Sequence, residues 1–146
     1  MTKKYSDCSL AGLDTKLPKI DAWKNQFKNY TTTIVYPEFS TVCPLTGLPD
    51  LGTITITYEP GNFCIEMKSL KLYLVAFRNI GIFQENAVNR ILNDIVKYVK
   101  PEWVEVTGDF NPRGGMTSQV KARWGDVPLG GRCFTILNGC PPKADQ

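Results

Sequence analysis

Threonine and isoleucine alternate through residues 52–58, Gly-Thr-Ile-Thr-Ile-Thr-Tyr, which is the period-two pattern of a half-buried antiparallel strand. The run before it, residues 30–36, is β-branched and aromatic and predicts a strand that Pro37 stops. Glu59-Pro-Gly-Asn62 reads as a turn, and residues 63–67 as a brief extension of the sheet. From Ser69 the period becomes helical. Leu70, Tyr73, Leu74 and Phe77 share one face, and Asn79-Ile-Gly81 predicts a left-handed stop. A second helix is the strongest pattern in the chain. Val88, Ile91, Leu92, Ile95, Val96 and Val99 follow the spacing i, i+3, i+4, i+7, i+8, i+11, with Asn89, Arg90, Asn93, Asp94 and Lys97 opposite, and Pro101 closes it. Residues 103–107 predict a strand and 108–115 a loop. Residues 116–124 alternate again, with Met116, Ser118, Val120, Ala122 and Trp124 on one face.

The order strand, strand, helix, helix, strand, strand predicts an α+β fold, an antiparallel sheet with two helices on one face. Residues 1–29 read as an extended arm or short irregular helix anchored by Trp23 and Phe27, residues 30–124 as the domain, and residues 125–146 as an irregular, Gly- and Pro-rich tail. Such a sheet has two free edges, and pairing them between subunits closes a ring, so a homo-oligomer is expected.

Composition narrows the chemistry. The 146 residues are 42% hydrophobic and 21% charged, an ordinary globular balance for one domain. A net charge of +3, dispersed along the chain, gives no reason to expect direct nucleic-acid or membrane binding. Five cysteines without CxxC spacing make neither a disulfide framework nor a zinc site, and no metal is expected; with no apolar signal segment, the expected location is cytoplasmic. There is no histidine, so acid–base work falls to Asp, Glu, Lys, Tyr or Cys.

Four polar stretches are candidates. Cys43-Pro-Leu-Thr-Gly-Leu-Pro-Asp50 sets a thiol and a carboxylate in a segment that its prolines and glycine keep from being helix or regular strand. That suits a nucleophile with a proton donor beside it, and equally a buried small residue followed by a turn aspartate. Lys68, Ser69 and the first-turn N–H groups of the first helix suit an anion such as phosphate, and equally a solvated basic helix start. Gln84 and Glu85 open the second helix, where a carboxylate suits the helix dipole and the pair suits a purine-like ring. Asn111-Pro-Arg-Gly-Gly115 is either an ordinary loop or a phosphate holder through Arg113.

Together these residues resemble the NADPH-dependent 7-cyano-7-deazaguanine reductases, the nitrile reductases of queuosine biosynthesis. The resemblance spans roughly residues 36–124 and rests on the Cys43 to Asp50 motif, on Glu66-Met-Lys-Ser-Leu-Lys-Leu-Tyr-Leu74 with Phe77-Arg-Asn79, on Gln84-Glu85 and on Asn111-Pro-Arg-Gly-Gly115. The length matches the short, single-module type. The resemblance implies a tunnelling fold in which subunits close into a barrel with active sites at their interfaces. It implies Cys43 as the nucleophile forming a covalent thioimide, Asp50 as its proton donor, and Ile65, Glu66, Met67, Gln84 and Glu85 around a deazapurine substrate. Lys68, Ser69, Lys71, Arg113 and Gly114 are implied as the holders of NADPH. Two positions depart from the family pattern: Gln84 stands where histidine is common, and Met67 where serine or leucine is usual. Three other readings stay open: an amidine-forming transferase acting on the same nitrile in tRNA without NADPH, another tunnelling-fold pterin or purine enzyme, and a non-catalytic purine-binding module. The lysines argue against the first, the missing histidines against the second, and an activated Cys43 would argue against the third.

Overall fold

A computed structural model describes residues 4–128. The main sheet has four antiparallel strands in the order β2-β3-β5-β6, formed by β2 (Thr32–Val42), β3 (Pro49–Glu59), β5 (Trp103–Arg113) and β6 (Met116–Gly125). Two short strands, β1 (Ala22–Lys24) and β4 (Phe63–Ile65), pair separately. Helix α1 (Met67–Val75) continues into a tight turn at Ala76–Asn79, and α2 (Gln84–Val99) follows.

The core lies between the sheet and the helices. Ile54, Ile56 and Tyr58 of β3 and Val104, Val106 and Phe110 of β5 face Leu70, Tyr73, Leu74, Phe77, Val88, Ile91, Ile95 and Val99. Alternation on β3 and the heptad-like stripe on α2 therefore bury the positions their periods select. Where α2 crosses β5, Gly108 leaves room: a Cβ there would stand 2.7 Å from Val88 Cγ2. Lys100 ends α2 in the left-handed conformation, φ 52°, before Pro101.

Several boundaries differ from the sequence pattern. Pro37 does not stop β2. It lies on the sheet edge inside a register shift between Tyr36 and Phe39, where a missing donor costs no ladder bond. Asp50 belongs to β3, paired with Thr41, so only residues 43–48 form the loop. The predicted loop at 108–115 is mostly strand: β5 runs to Arg113, and Gly114-Gly115 alone turn the chain, at φ 55° and 81°. Helix α1 starts at Met67 because Glu66 caps it, and it ends without a left-handed residue, since Ile80 is extended. Trp23 and Phe27 are 53% and 76% exposed; the arm is held instead by fully buried Ile20 and by the β1–β4 ladder. Beyond residue 128, the expected irregular tail, with Cys133 and Cys140, lies outside the described residues.

Gly108→Ala is expected to destabilise the fold by about 1–3 kcal/mol, because the methyl meets a β-branched side chain and the Phe110 ring. Urea unfolding measures this, and an unchanged midpoint would show that α2 is not seated at Gly108.

Candidate active site

Side chains on a strand alternate faces, and a single extra residue reverses that alternation. Two such insertions shape one corner of the sheet. On β2, Tyr36 pairs with Ile54 and Phe39 with Gly52, so Pro37 and Glu38 stand opposite Thr53 alone. Phe39, Thr41 and Cys43 are therefore buried on the helix-facing side. On β5, Phe110 pairs with Ser118 and Arg113 with Met116, so Asn111 and Pro112 stand opposite Thr117 alone. Arg113 thus shares the face of Phe110. Asp50 lies on that face too, in phase with Ile54 and Ile56, and is 5% exposed.

Asp50 is paired from two directions. Arg113 Nε stands 2.9 Å from its Oδ1, while Arg113 Nη2 donates to the Pro49 carbonyl at 2.9 Å. Gln84 Nε2, from the first residue of α2, donates to the same Oδ1 at 3.1 Å. Ser118 fixes the amide by donating to Gln84 Oε1 at 2.6 Å. Thr41, directly across from Asp50, keeps a buried hydroxyl without a partner among the described residues.

Cys43 closes the turn beside them. Its N–H donates to the Leu48 carbonyl at 2.8 Å, and its carbonyl accepts from Gly47 N–H at 2.9 Å, with Gly47 at φ 71°. Burial pushes the thiol up. Hydrogen bonds from the Thr46 hydroxyl and N–H, the Leu45 N–H and the Arg113 guanidinium outweigh it, so the thiol sits below its ordinary value. A buried thiol lowered in this way suits nucleophilic attack, and the buried Asp50 carboxylate lies on the same face of the sheet.

The other predicted residues divide. Glu85 is exposed in the first turn of α2, one residue past Gln84 and so beside this corner. Ile65, Glu66, Met67, Lys68, Ser69 and Lys71 are elsewhere in the chain. Ile65 N–H donates to the Tyr58 hydroxyl at the far end of β3, eight residues from Asp50 or about 26 Å of strand. The Glu66 carboxylate accepts from the N–H groups of Lys68 at 2.9 Å and Ser69 at 2.7 Å, which holds it below the usual carboxylate range. Those N–H groups are therefore not free for an anion. The Ser69 hydroxyl is also engaged, donating to the Glu66 carbonyl and accepting from Asp21 N–H. Lys68 and Lys71 remain exposed, one turn apart. Arg113, expected on a cofactor phosphate, is instead on Asp50. Thr46 and Ser118 were not singled out by the sequence. Thr46 carries a weak signal, a hydroxyl in a Pro- and Gly-bounded turn, whereas Ser118 reads only as one position of an alternating strand.

The family described as "QueF-like protein" matches residues 49–128. A relative from Elusimicrobium minutum, named NADPH-dependent 7-cyano-7-deazaguanine reductase, is 52% identical over 81% of this chain and 90% of its own length. A relative of the same name from Chloroherpeton thalassium is 50% identical over 72% of this chain and 92% of its own length. The chain belongs to the QueF-like protein family. The crystal structure of the archaeosine synthase QueF-Like in the apo form superposes with a TM-score of 0.62 at 22% identity, covering 67% of this chain and 96% of that one, and so shares the fold. In this QueF-like protein the residue at position 84 is glutamine, whose amide donates to the Asp50 carboxylate.

Thr46 leads the groups that lower the thiol, so Thr46→Ala is expected to raise the pH at which Cys43 alkylation by iodoacetamide is half-maximal. Rate–pH profiles check this, and a midpoint equal to or below that of the unsubstituted protein would remove Thr46 from thiol activation.

Proposed function

We propose that this protein reduces the nitrile of 7-cyano-7-deazaguanine to the aminomethyl group with NADPH, and that it does so through a thioimide on Cys43. The reductase name shared by relatives at about half identity supports the reaction. The observation that carries the mechanism is a buried carboxylate paired with a guanidinium at one sheet corner, on the face where the buried and lowered Cys43 thiol also lies.

The thiol of Cys43 adds across the nitrile. Sulfur donates its electron pair to carbon, one C–N π bond breaks toward nitrogen, and Asp50 carries the proton from sulfur to that nitrogen. S–H and C≡N become S–C=N–H with no net redox change. The carboxylate of Glu85 reads the N–H and amino edge of the deazaguanine, since an ionised carboxylate accepts and does not donate. Reduction to the amine level would take two protons and two hydrides, one hydride from each of two NADPH, and the C–S bond to Cys43 would break between the two hydride additions so that the thiol is regenerated. Exposed Lys68 and Lys71, on one helical face and free of ion pairs among the described residues, fit a phosphate-bearing cofactor, and the open Gly114-Gly115 turn offers backbone N–H groups.

The distance between the Lys68 segment and Asp50 within one chain supports a homo-oligomeric site, in which residues 65–71 of one subunit, with Ile65, Glu66 and Met67, complete the Cys43 corner of another. The free edges β2 and β6, with Val35, Met116 and Trp124 exposed at 58%, 77% and 43%, suit strand pairing between subunits. Among the described residues no helix is long and apolar enough to cross a membrane.

Mixing the protein with 7-cyano-7-deazaguanine is expected to give a thioimide absorbance that decays as two NADPH are consumed per nitrile. Cys43→Ala is expected to lose both signals and keep its assembly state, so NADPH oxidation by that variant would exclude the covalent route. Glu85→Leu is expected to weaken substrate binding by about 10- to 100-fold, the worth of lost hydrogen bonds to a charge, with NADPH affinity retained. Calorimetry showing the reverse order would take Glu85 out of the pocket.

A further inference from the structure

We propose that Arg113 is a positioning residue of the Cys43 and Asp50 pair, required for thioimide formation before any cofactor is engaged. The inference rests on the covalent reading above and goes beyond it, because the sequence pattern of Arg113 with Gly114-Gly115 suggests an ordinary loop or a holder of a cofactor phosphate.

The geometry is that of a clamp. Nε meets the Asp50 carboxylate at 2.9 Å and Nη2 meets the carbonyl of Pro49, the preceding residue, at 2.9 Å. A planar guanidinium tied at two points of one strand has little freedom left, unlike a lysine ammonium. Cys43 follows the end of β2 on the same helix-facing side, and Arg113 is among the groups that lower its thiol. A guanidinium held at the start of β3 therefore sets the carboxylate in a fixed place beside that turn. Among the described residues it is the only cation paired with Asp50, whose carboxylate is 5% exposed; an unpaired charge there would be costly. The Asn111-Pro112 insertion is what delivers it. With regular alternation Arg113 would project to the opposite face from Phe110, away from Asp50. Of the other groups near the thiol, Cys8 is engaged at 3.9 Å with the Pro44 carbonyl, and Asp50 is itself held by Arg113.

Addition of the thiol to the nitrile consumes no hydride, so it separates a role in the pair from a role in holding NADPH. Stopped-flow absorbance with substrate alone is the test, on the unsubstituted protein, Arg113→Gln and Arg113→Lys. Arg113→Gln is expected to slow thioimide formation by about 10- to 100-fold, the scale of a misplaced reacting group, and Arg113→Lys to recover part of the loss. Arg113→Gln is also expected to raise the pH of half-maximal Cys43 alkylation, a readout that a purely structural role would not move. Substrate affinity, measured in a Cys43→Ala background, is expected to be unchanged. Arg113→Gln that forms the thioimide at the unsubstituted rate, with an unchanged alkylation profile and only a raised KM for NADPH, would overturn the proposal and return Arg113 to the cofactor. If the unsubstituted protein forms no thioimide, the covalent reading fails, while the alkylation profiles still decide whether Arg113 sets the thiol.

Discussion

Which way a strand residue points is decided by counting, and this protein changes the count twice. The insertions at Pro37-Glu38 and Asn111-Pro112 each reverse the alternation of a strand near its end. Without them Thr41 and Cys43 would leave the face of Ile34 and Tyr36, and Arg113 the face of Phe110. With them, a thiol one residue past β2 and a guanidinium at the end of β5 arrive on the side where β3 already holds Asp50. Both insertions contain proline, which cannot donate to a ladder and so sits where the ladder is already broken.

A carboxylate withdrawn from water must be paired, and here three elements supply the pairing. Arg113 comes from the β5–β6 hairpin and Gln84 from the start of α2, with Ser118 of β6 behind it. The electrostatics are assembled without a histidine. A guanidinium that stays protonated and an amide that does not titrate hold the Asp50 carboxylate. The α2 core stripe, seated against Gly108, fixes the helix that brings Gln84 in.

Much of this was legible beforehand, for identifiable reasons. The α2 stripe and the Thr-Ile alternation of β3 are strong single-period signals, and tertiary packing agrees with both. The Cys43 to Asp50 stretch stood out as a thiol and a carboxylate close in sequence, and both are buried. What could not be read was the phase of the strands. Proline is a stop signal locally, yet Pro37 and Pro112 sit inside strands because the sheet tolerates an insertion at each. Nor did the pattern show that Glu66 would cap its own helix, taking the N–H groups that had seemed available to a phosphate. Trp23 and Phe27 misled because aromatic residues suggest burial, whereas the arm is fixed by backbone pairing and Ile20. The partnership of Arg113 with Asp50 depends on residues 63 positions apart, and local sequence carries no record of it.

Strand β6 is ten residues long, lies at the sheet edge and contains no proline. Among the described residues nothing pairs with the outer side of that edge, and Met116 and Trp124 lie exposed alongside, so it is open to any extended segment. Under the proposed pairing of strands between subunits, the yield of assembled protein is a kinetic matter, set by how quickly the correct edge is found relative to the wrong one. Slow synthesis and low temperature favour the correct outcome without adding anything to the stability of the folded chain.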